Sequence, residues 1–332
     1  MKKRVKSSLL VVISGLMVLL LAACNDSDEL QTVKIGEVTR SIFYAPQYVA
    51  ITQGFFEEEG LDIELSTIAG GDKTMTALLS GGIDIALVGS ETSIYVSAQG
   101  ANDPIKNFAQ LTQTDGTFLV AREEIEDFSW DMLKGSTFLG QRKGGMPQMA
   151  GEFVLKKNGI DPHADLELIQ NIDFANISTA FASGTGDYVQ LFEPTASVFE
   201  EEGIGHIVAS FGTESGHLPY TVFMAKDSFM NESPETIEKF TRALKKAQDF
   251  VYEASAEEVA KAIHPFFEDT EVELIATVVE RYREQESFAK DPILDEEEWN
   301  NLQDIMDEAG ELPKRMDYNE LVDTTFAEKV LE

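Results

Sequence analysis

The stretch ALLSGGIDIALVGSET, at residues 77–92, occurs a second time in related form further along the chain. Moving the sequence by 103 positions aligns residues 61–92 with 164–195 without a gap, and nine of these 32 positions are identical. Ordinary residue usage would give about two identities by chance. The identical pairs are Asp62/Asp165, Glu64/Glu167, Leu65/Leu168, Thr76/Thr179, Ala77/Ala180, Ser80/Ser183, Gly81/Gly184, Asp84/Asp187 and Thr92/Thr195. The repeat predicts two copies of one α/β unit, each with a strand, a helix, a Gly-led turn and a second strand.

Local patterns in the first copy support this prediction. Apolar and acidic residues alternate over 61–65, which is the period of a half-buried strand. Met75, Leu78 and Leu79 then lie on one helical face, and residues 83–88 form an apolar run of strand length. Open parallel sheets bind ligands beyond the carboxyl ends of their strands. We therefore expect a site at the loops GSET (89–92) and FEPT (192–195), facing each other across a cleft between two lobes.

The amino terminus predicts export. Residues 1–23 carry a basic start and a mostly apolar run over 9–21, the length of a signal-peptide core and short for a membrane-spanning helix. The run ends in LAAC at 21–24, which resembles the lipobox of bacterial lipoproteins and makes Cys24 the expected lipidated first residue of the mature chain. Residues 24–32 would then be a lipid-anchored tether. The alternative is that Cys24 is an incidental residue of a cleaved signal peptide.

Composition narrows the possible functions. Cys24 is the single cysteine, so the chain has no intramolecular disulfide and no cysteine metal site. The net charge is −33; without the four basic residues of the leader, 22 basic residues stand against 59 acidic ones, a net charge of −37. This excess disfavours nucleic acid and anionic membrane as partners. The four histidines are scattered and neither HExxH nor GxSxG occurs, so we expect no enzyme activity, no metal and no cofactor.

Two segments carry a family resemblance. YAPQYVAITQGFFEEEGLDIEL (44–65), followed by the repeat block, resembles the type 2 periplasmic-binding-protein group that includes nitrate-, sulfonate-, taurine- and thiamine-pyrimidine-precursor-binding components of ABC importers. GDYVQLFEP (186–194) is similar to that group's "DAxxxWEP" signature, with Phe192 where a tryptophan often stands. The resemblance implies an α/β fold of two lobes, each a mostly parallel sheet flanked by helices. Lobe I would comprise 33–116 and 222–332, and lobe II would comprise 117–221.

The site residues follow from the repeat and the resemblance. The candidates for ligand binding are Phe43, Tyr44, Gln47, Gly71, Asp72, Ser90, Glu91, Thr92, Gly144, Gly145, Met146, Phe192 and Glu193. Aromatic rings would sandwich a flat ligand while hydroxyls and loop amides fix its polar groups. Core packing is the alternative for Phe43 and Tyr44, and a solvated carboxylate is the alternative for Glu91 and Glu193.

The sequence is compatible with two classes of ligand, an anion and a nitrogen heterocycle. Arg142, Lys143 and the Gly-led helix start at 144–147 would suit an anion, although they also fit an ordinary turn. Asp72, Glu91 and Glu193 would repel an anion and accept hydrogen bonds from a nitrogen heterocycle, the reading that we favour.

The expected function is an extracytoplasmic solute-binding lipoprotein, a monomer that delivers its ligand to an ABC permease and its ATPase. A ligand-presenting sensor and a sulfonate or nitrate binder are the alternatives. An enzyme of pyrimidine-precursor synthesis is disfavoured by the export signal and by the missing catalytic cluster.

Overall fold

Two five-stranded β-sheets organise the structure, a computed structural model that describes residues 30–332. The predicted signal peptide, Cys24 and residues 24–29 of the tether lie outside the described residues. In the described part, Thr32–Glu332 form one compact unit. No helix between residues 30 and 332 is long and apolar enough to cross a membrane.

The strands follow the predicted α/β order. In chain order they are β1 (Gln31–Glu37), β2 (Leu61–Thr67), β3 (Ile85–Gly89), β4 (Ile105–Thr112), β5 (Thr117–Ala121), β6 (Thr137–Leu139), β7 (Glu167–Ile169), β8 (Tyr188–Phe192), β9 (His206–Ser210) and β10 (Thr221–Lys226). The first sheet has the order β2-β1-β3-β10-β4 and the second has β7-β6-β8-β5-β9. In the first, β10 runs antiparallel to β3 and β4; in the second, β5 runs antiparallel to β8 and β9. Each sheet is therefore mixed, and its reversed strand is the fourth of the five, next to an edge strand.

The sequence repeat corresponds to a repeated piece of structure. Strands β2 and β3 of the first sheet occupy the same places as β7 and β8 of the second. The repeated aspartates make the same bond: Asp84 Oδ2 accepts the Lys34 N–H at 2.9 Å, and Asp187 Oδ2 accepts the Thr137 N–H at 2.8 Å. Each aspartate thus ties the start of one central strand to the neighbouring parallel strand.

The reversed strands carry the crossings between the sheets. The chain leaves the first sheet after Thr112, enters the second at Thr117, and returns between Ser210 and Thr221. The sequence predicts lobe boundaries close to these connections, and the limits of the lobes stay a prediction. We use first lobe and second lobe for the parts built on the first and second sheets.

Helices cover both sheets. They are α1 (Ala45–Thr52), α2 (Phe55–Glu58), α3 (Gly71–Leu79), α4 (Glu91–Ala98), α5 (Met146–Lys157), α6 (Ile177–Ala182), α7 (Thr195–Glu201), α8 (Gly212–Ser215), α9 (Asp227–Glu232), α10 (Pro234–Glu253), α11 (Ala256–Ile263), α12 (Val272–Glu284), α13 (Glu296–Glu308), α14 (Tyr318–Leu321) and α15 (Thr325–Leu331). Short 3-10 turns lie at Ile42–Tyr44, Trp130–Leu133, Phe174–Asn176 and His264–Phe266.

The carboxy-terminal helices build much of the first lobe. Helix α10 packs on α1 and α2, while α14 and α15 pack on β4. The apolar face of α10, at Ile237, Phe240, Leu244, Ala247 and Val251, is fully buried. Burying each of its larger side chains contributes about 1.5–3 kcal/mol, which explains why so acidic a tail still folds. Helix α13 reaches further and also contacts α5 of the second lobe.

Candidate functional site

A cavity of about 400 Å³ lies between the two lobes. The first lobe lines it with the ends of β1 and β3 and with helices α3 and α4, and the second lobe lines it with the segment after β6, the start of α5 and the end of β8. These are the carboxyl ends of strands in both sheets, where open α/β sheets bind ligands.

Nine of the thirteen predicted site residues line this cavity. They are Tyr44, Gly71, Asp72, Glu91, Thr92, Gly144, Gly145, Met146 and Phe192. The repeat thus brings residues from positions far apart in the chain to one place. Glu91 and Thr92 were expected in a loop but form the first turn of α4.

Phe43 and Gln47 lie outside the cavity lining. The Phe43 ring is fully buried and packs at 5.1 Å from the Tyr282 ring and 5.9 Å from the Phe192 ring, measured between centroids. This is the core packing that the sequence left open as its alternative. Gln47 is also buried, and its Nε2 donates to Glu37 Oε2 at 2.9 Å.

Ser90 and Glu193 are likewise occupied within the protein. Ser90 Oγ donates to the Pro219 carbonyl oxygen. Glu193 is buried, forms an ion pair with Arg281 of α12, and accepts the Ser197 backbone N–H at 2.9 Å. Burial raises the pKa of Glu193, although the Arg281 charge and the Ser197 donors oppose that rise. Neither side chain is a solvated loop residue, and both fix the structure around the cavity.

Glu91 is the exceptional residue of the cavity wall. It is 4% exposed, and its Oε1 accepts the Met146 N–H from the other lobe at 3.2 Å. Within residues 30–332, its Oε2 has no hydrogen-bond partner, and no Lys, Arg or His pairs with the carboxylate. Burial raises the pKa of Glu91 to about 7, against the opposing effect of backbone hydrogen bonds. A buried acceptor without a donor is costly unless a bound molecule supplies one.

Gln141 provides a second acceptor of this kind. It follows β6, is 2% exposed and lines the cavity. Its Nε2 donates to the Gln190 carbonyl oxygen at 2.6 Å, which fixes the orientation of the amide. Among the described residues its Oε1 has no partner.

At the helix start that would suit an anion, two backbone N–H groups already have partners within the protein. The Met146 N–H is given to Glu91, and the Gly144 N–H is given to Gln148 Oε1 at 2.9 Å. The N–H groups of Gln148 and Met149 both bond to the Gly145 carbonyl oxygen. Pro147 has no N–H to offer. The Glu91 carboxylate thus stands where an anionic ligand of this helix would stand.

The two basic residues of this segment are paired across the cleft. Arg142 Nη1 lies 3.3 Å from Asp72 Oδ2 of the first lobe, and Lys143 Nζ lies 3.2 Å from Glu311 Oε1. Arg142 and Lys143 are exposed, so each pair contributes about 0–1 kcal/mol. Their charges are nevertheless largely balanced at the cavity rim.

Aromatic rings form the remaining walls. Tyr44 and Tyr220 stand on the first-lobe side, Phe174 and Phe192 on the second, and Tyr95 projects from α4. Burial raises the pKa of Tyr44 and of Tyr95, so both phenols remain protonated at neutral pH. Such walls suit a flat, partly apolar ligand.

Several lining residues were absent from the sequence prediction, notably Gln141, Phe174, Tyr95 and Gln99. Two signals would have identified them. The 103-residue offset pairs Gly71 with Phe174 within the aligned block, and beyond the block it pairs Val38 with Gln141. All four residues line the cavity. Extending α4 at helical spacing from Thr92 leads to the other two.

In the described part of the chain, no group of three or more His, Cys, Asp or Glu side chains is arranged to hold a metal ion. The site offers walls for packing and acceptors for hydrogen bonds.

Two lobes with a cavity of this kind between them define a binding protein that holds a small molecule. The chain belongs to the NMT1-like family, which its sequence matches over residues 26–264. This agrees with the resemblance found in the sequence.

Sequence relatives are mainly binding proteins. The chain is 65% identical over 310 residues to "Putative binding protein YtlA" of Bacillus subtilis (strain 168), covering 93% of each chain. It is 23% identical over 286 residues to the formylaminopyrimidine-binding protein of Halalkalibacterium halodurans, covering 80% of this chain and 84% of that one. One distant relative is named as an enzyme, the 4-amino-5-hydroxymethyl-2-methylpyrimidine phosphate synthase of Aspergillus parasiticus, at 27% over 222 residues and 63% of each chain.

Solved structures confirm the two-lobe fold. The alkanesulfonate-binding protein SsuA from Xanthomonas axonopodis pv. citri, bound to MOPS, superposes with a TM-score of 0.70 at 18% identity, covering 90% of this chain and 99% of that one. The periplasmic nitrate-binding protein NrtA from Synechocystis PCC 6803 gives a TM-score of 0.72 at 18% identity, covering 91% and 88%. At these identities the likeness concerns the fold.

Proposed function

We propose that the protein is the extracytoplasmic solute-binding lipoprotein of an ABC importer, which captures a small molecule between its lobes and delivers it to the permease. The observation that carries the proposal is the cavity lined by both lobes. Its lining includes Glu91 and Gln141, and residues 30–332 contain no group of three or more His, Cys, Asp or Glu side chains that could hold a metal ion. A ligand seated there contacts both lobes at once, so it stabilises the closed arrangement over an open one. The protein performs no chemistry on its ligand.

The amino terminus and the relatives support this role. The leader at 1–23 and LAAC at 21–24 fit export and lipidation at Cys24. Relatives named for binding formylaminopyrimidine and structural neighbours named for alkanesulfonate or nitrate binding are consistent with capture of a small solute.

A thermal-shift panel tests solute capture. Pyrimidines, flavin-like heterocycles, taurine, alkyl sulfonates and nitrate are each added to the purified protein. A ligand that binds only the folded state raises its stability by about 2.7 kcal/mol at one hundred times its Kd. Thr76 is an exposed residue lining the cavity, whereas Lys73 is exposed on the same helix outside it. We expect Thr76→Trp to abolish the shift and Lys73→Trp to preserve it. A thermal shift that persists in Thr76→Trp would show that the compound binds outside this cavity.

Lipidation is tested separately. Cys24→Ala removes the only sulfur available for lipid attachment. We expect the variant to leave the membrane fraction of expressing cells, while Ser27→Ala stays in it. Retention of the Cys24→Ala chain on membranes would contradict the anchor without affecting the cavity.

A further inference from the structure

We infer that Lys156 of α5 and the carboxyl end of α13, at Glu308, form a latch that holds the two lobes together from outside the cavity. Neither Lys156 nor Glu308 lines the cavity, so the latch acts whether or not the cavity is filled. It biases the protein toward the closed form before any solute is captured.

Helix α13 is anchored on the first lobe and packs against the second. Near its start, Glu298 Oε2 accepts a hydrogen bond from Gln110 Nε2 of β4 at 2.7 Å. The helix also packs on α4 of the first lobe and on α5 of the second. Ile305 and Met306 of α13 and Met149 of α5 are fully buried members of one apolar cluster. The far end of α13 is therefore held firmly enough to carry a contact with the other lobe.

Lys156 binds the carboxyl end of this helix. Its Nζ donates to the Glu308 carbonyl oxygen at 2.7 Å and lies 3.9 Å from Glu308 Oε1. Glu308 is the last residue of α13, so its carbonyl oxygen has no partner within the helix. A cation is favourable at this negative end of the helix dipole. A charge on the second lobe thus satisfies a backbone group of the first.

The next residue, Lys157, makes the same kind of bond within one lobe. Its Nζ donates to the Glu214 carbonyl oxygen at 2.8 Å and lies 3.3 Å from Glu214 Oε2. Glu214 belongs to α8, which is held on the second lobe because the Phe211 N–H donates to the Thr117 carbonyl oxygen of β5. The two neighbouring lysines therefore differ in whether their bond crosses between the lobes.

The Met146 N–H reports on the separation of the lobes. It donates across the cleft to Glu91 Oε1 at 3.2 Å, whereas the Gly144 N–H donates to Gln148 Oε1 of the second lobe itself. Parting the lobes frees the first N–H and leaves the second bonded. Lys156 lies ten residues further along α5 than Met146, about 15 Å away, so its replacement does not touch either N–H directly.

Hydrogen–deuterium exchange on the full chain, with no compound added, tests the latch. The variants are Lys156→Met and, as the matched control, Lys157→Met; methionine keeps the apolar length of lysine and removes its charge and its donors. Loss of one charged hydrogen bond should raise the open fraction, and with it the exchange rate of the Met146 N–H, about three- to ten-fold in Lys156→Met. Lys157→Met should leave this rate at the parental value.

A third variant separates the carbonyl oxygen from the carboxylate. Glu308→Gln removes the charge of the side chain and keeps the backbone acceptor of Lys156. We expect it to change the Met146 exchange rate far less than Lys156→Met does. An equal effect of the two variants would contradict a latch built on the helix end.

The other outcomes are equally decisive. An unchanged Met146 rate in Lys156→Met, or the same increase in both lysine variants, overturns the latch. A parallel increase at the Gly144 N–H or in the central strand β3 would mean that α5 or the whole fold has loosened, which also overturns it. None of these results bears on solute capture, which the thermal-shift panel tests separately.

Discussion

At the scale of single residues, Arg281 shows that a partner distant in the sequence gives the Glu193 carboxylate a structural role. Arg281 stands 88 positions from Glu193 in the chain and pairs with its buried carboxylate. Arg281→Met would leave that carboxylate buried without its cation, a change that costs about 3–5 kcal/mol. We expect urea denaturation to show this loss at pH 8. The loss should shrink at acidic pH, where Glu193 takes up a proton.

The control for this prediction is an exposed pair. Arg315 and Asp304 are both at least half exposed, so Arg315→Met should change stability by less than 1 kcal/mol. If the two variants lose similar stability, Glu193 does not depend on its partner.

The raised pKa of Glu91 predicts a pH dependence of stability. The carboxyl holds its proton more tightly in the folded chain than in the unfolded one, because burial raises its pKa from 4.5 to about 7. The stability that the folded chain gains from this tighter proton binding is complete below pH 4.5. It is lost as the pH rises through about 7. Glu91→Gln should therefore match the parent at pH 5 and exceed it at pH 8, by about 3 kcal/mol at most.

The measurement is the urea midpoint of both chains at the two pH values, without ligand. Glu298→Gln should behave similarly, because burial also raises the pKa of Glu298 to about 7. An identical pH profile in the parent and in Glu91→Gln would show that Glu91 ionises normally.

The sequence identified most of the cavity but not the role of every residue in it. Glu91, Thr92 and Phe192 follow from the repeat, because its strands end at one edge of each sheet. Ser90 and Glu193 stand in the same segments, yet their partners are Pro219 and Arg281. A single sequence does not reveal which polar side chain will bond to a segment distant in the chain.

At the scale of elements, the turn from β3 into α4 positions the acceptor. Gly89 lies beneath the Glu91 carboxylate, and a Cβ at this position would overlap both carboxylate oxygens. Because a flexible side chain relieves the overlap by moving, Gly89→Ala should displace Glu91 at a stability cost of about 1 kcal/mol. Affinity for the ligand should fall with it, as calorimetry would show.

Gly82→Ala is the matched control, since its Cβ would lie 3.4 Å from the Ala77 carbonyl oxygen, at ordinary contact distance. Its ligand affinity should equal that of the parent. If Gly89→Ala also binds normally, the position of Glu91 does not matter for recognition.

Element positions were predictable where a period or a repeat marked them. Residues 85–89 and 188–192 are β3 and β8 at the same 103-residue offset as in the sequence. The reversed strands β5 and β10 were not distinguishable as antiparallel, because a buried apolar run reads the same in either direction. Their direction follows from the crossings between the sheets.

At the scale of the whole molecule, contacts across the cleft predict a change of shape on binding. At the cleft, Asp72 pairs with Arg142, Lys143 pairs with Glu311, and the Met146 N–H donates to Glu91. The two exposed ion pairs and the single hydrogen bond contribute about 1–3 kcal/mol together. A ligand that contacts both lobes adds to these contacts and shifts the population toward the closed form. We expect the radius of gyration from small-angle scattering to decrease when a compound that raises the melting temperature is added to saturation. A compound of the panel that gives no shift is the control and should leave the radius unchanged. An unaltered radius at saturation would mean that the lobes are rigid, and a permease would then have to recognise the loaded protein by something other than closure.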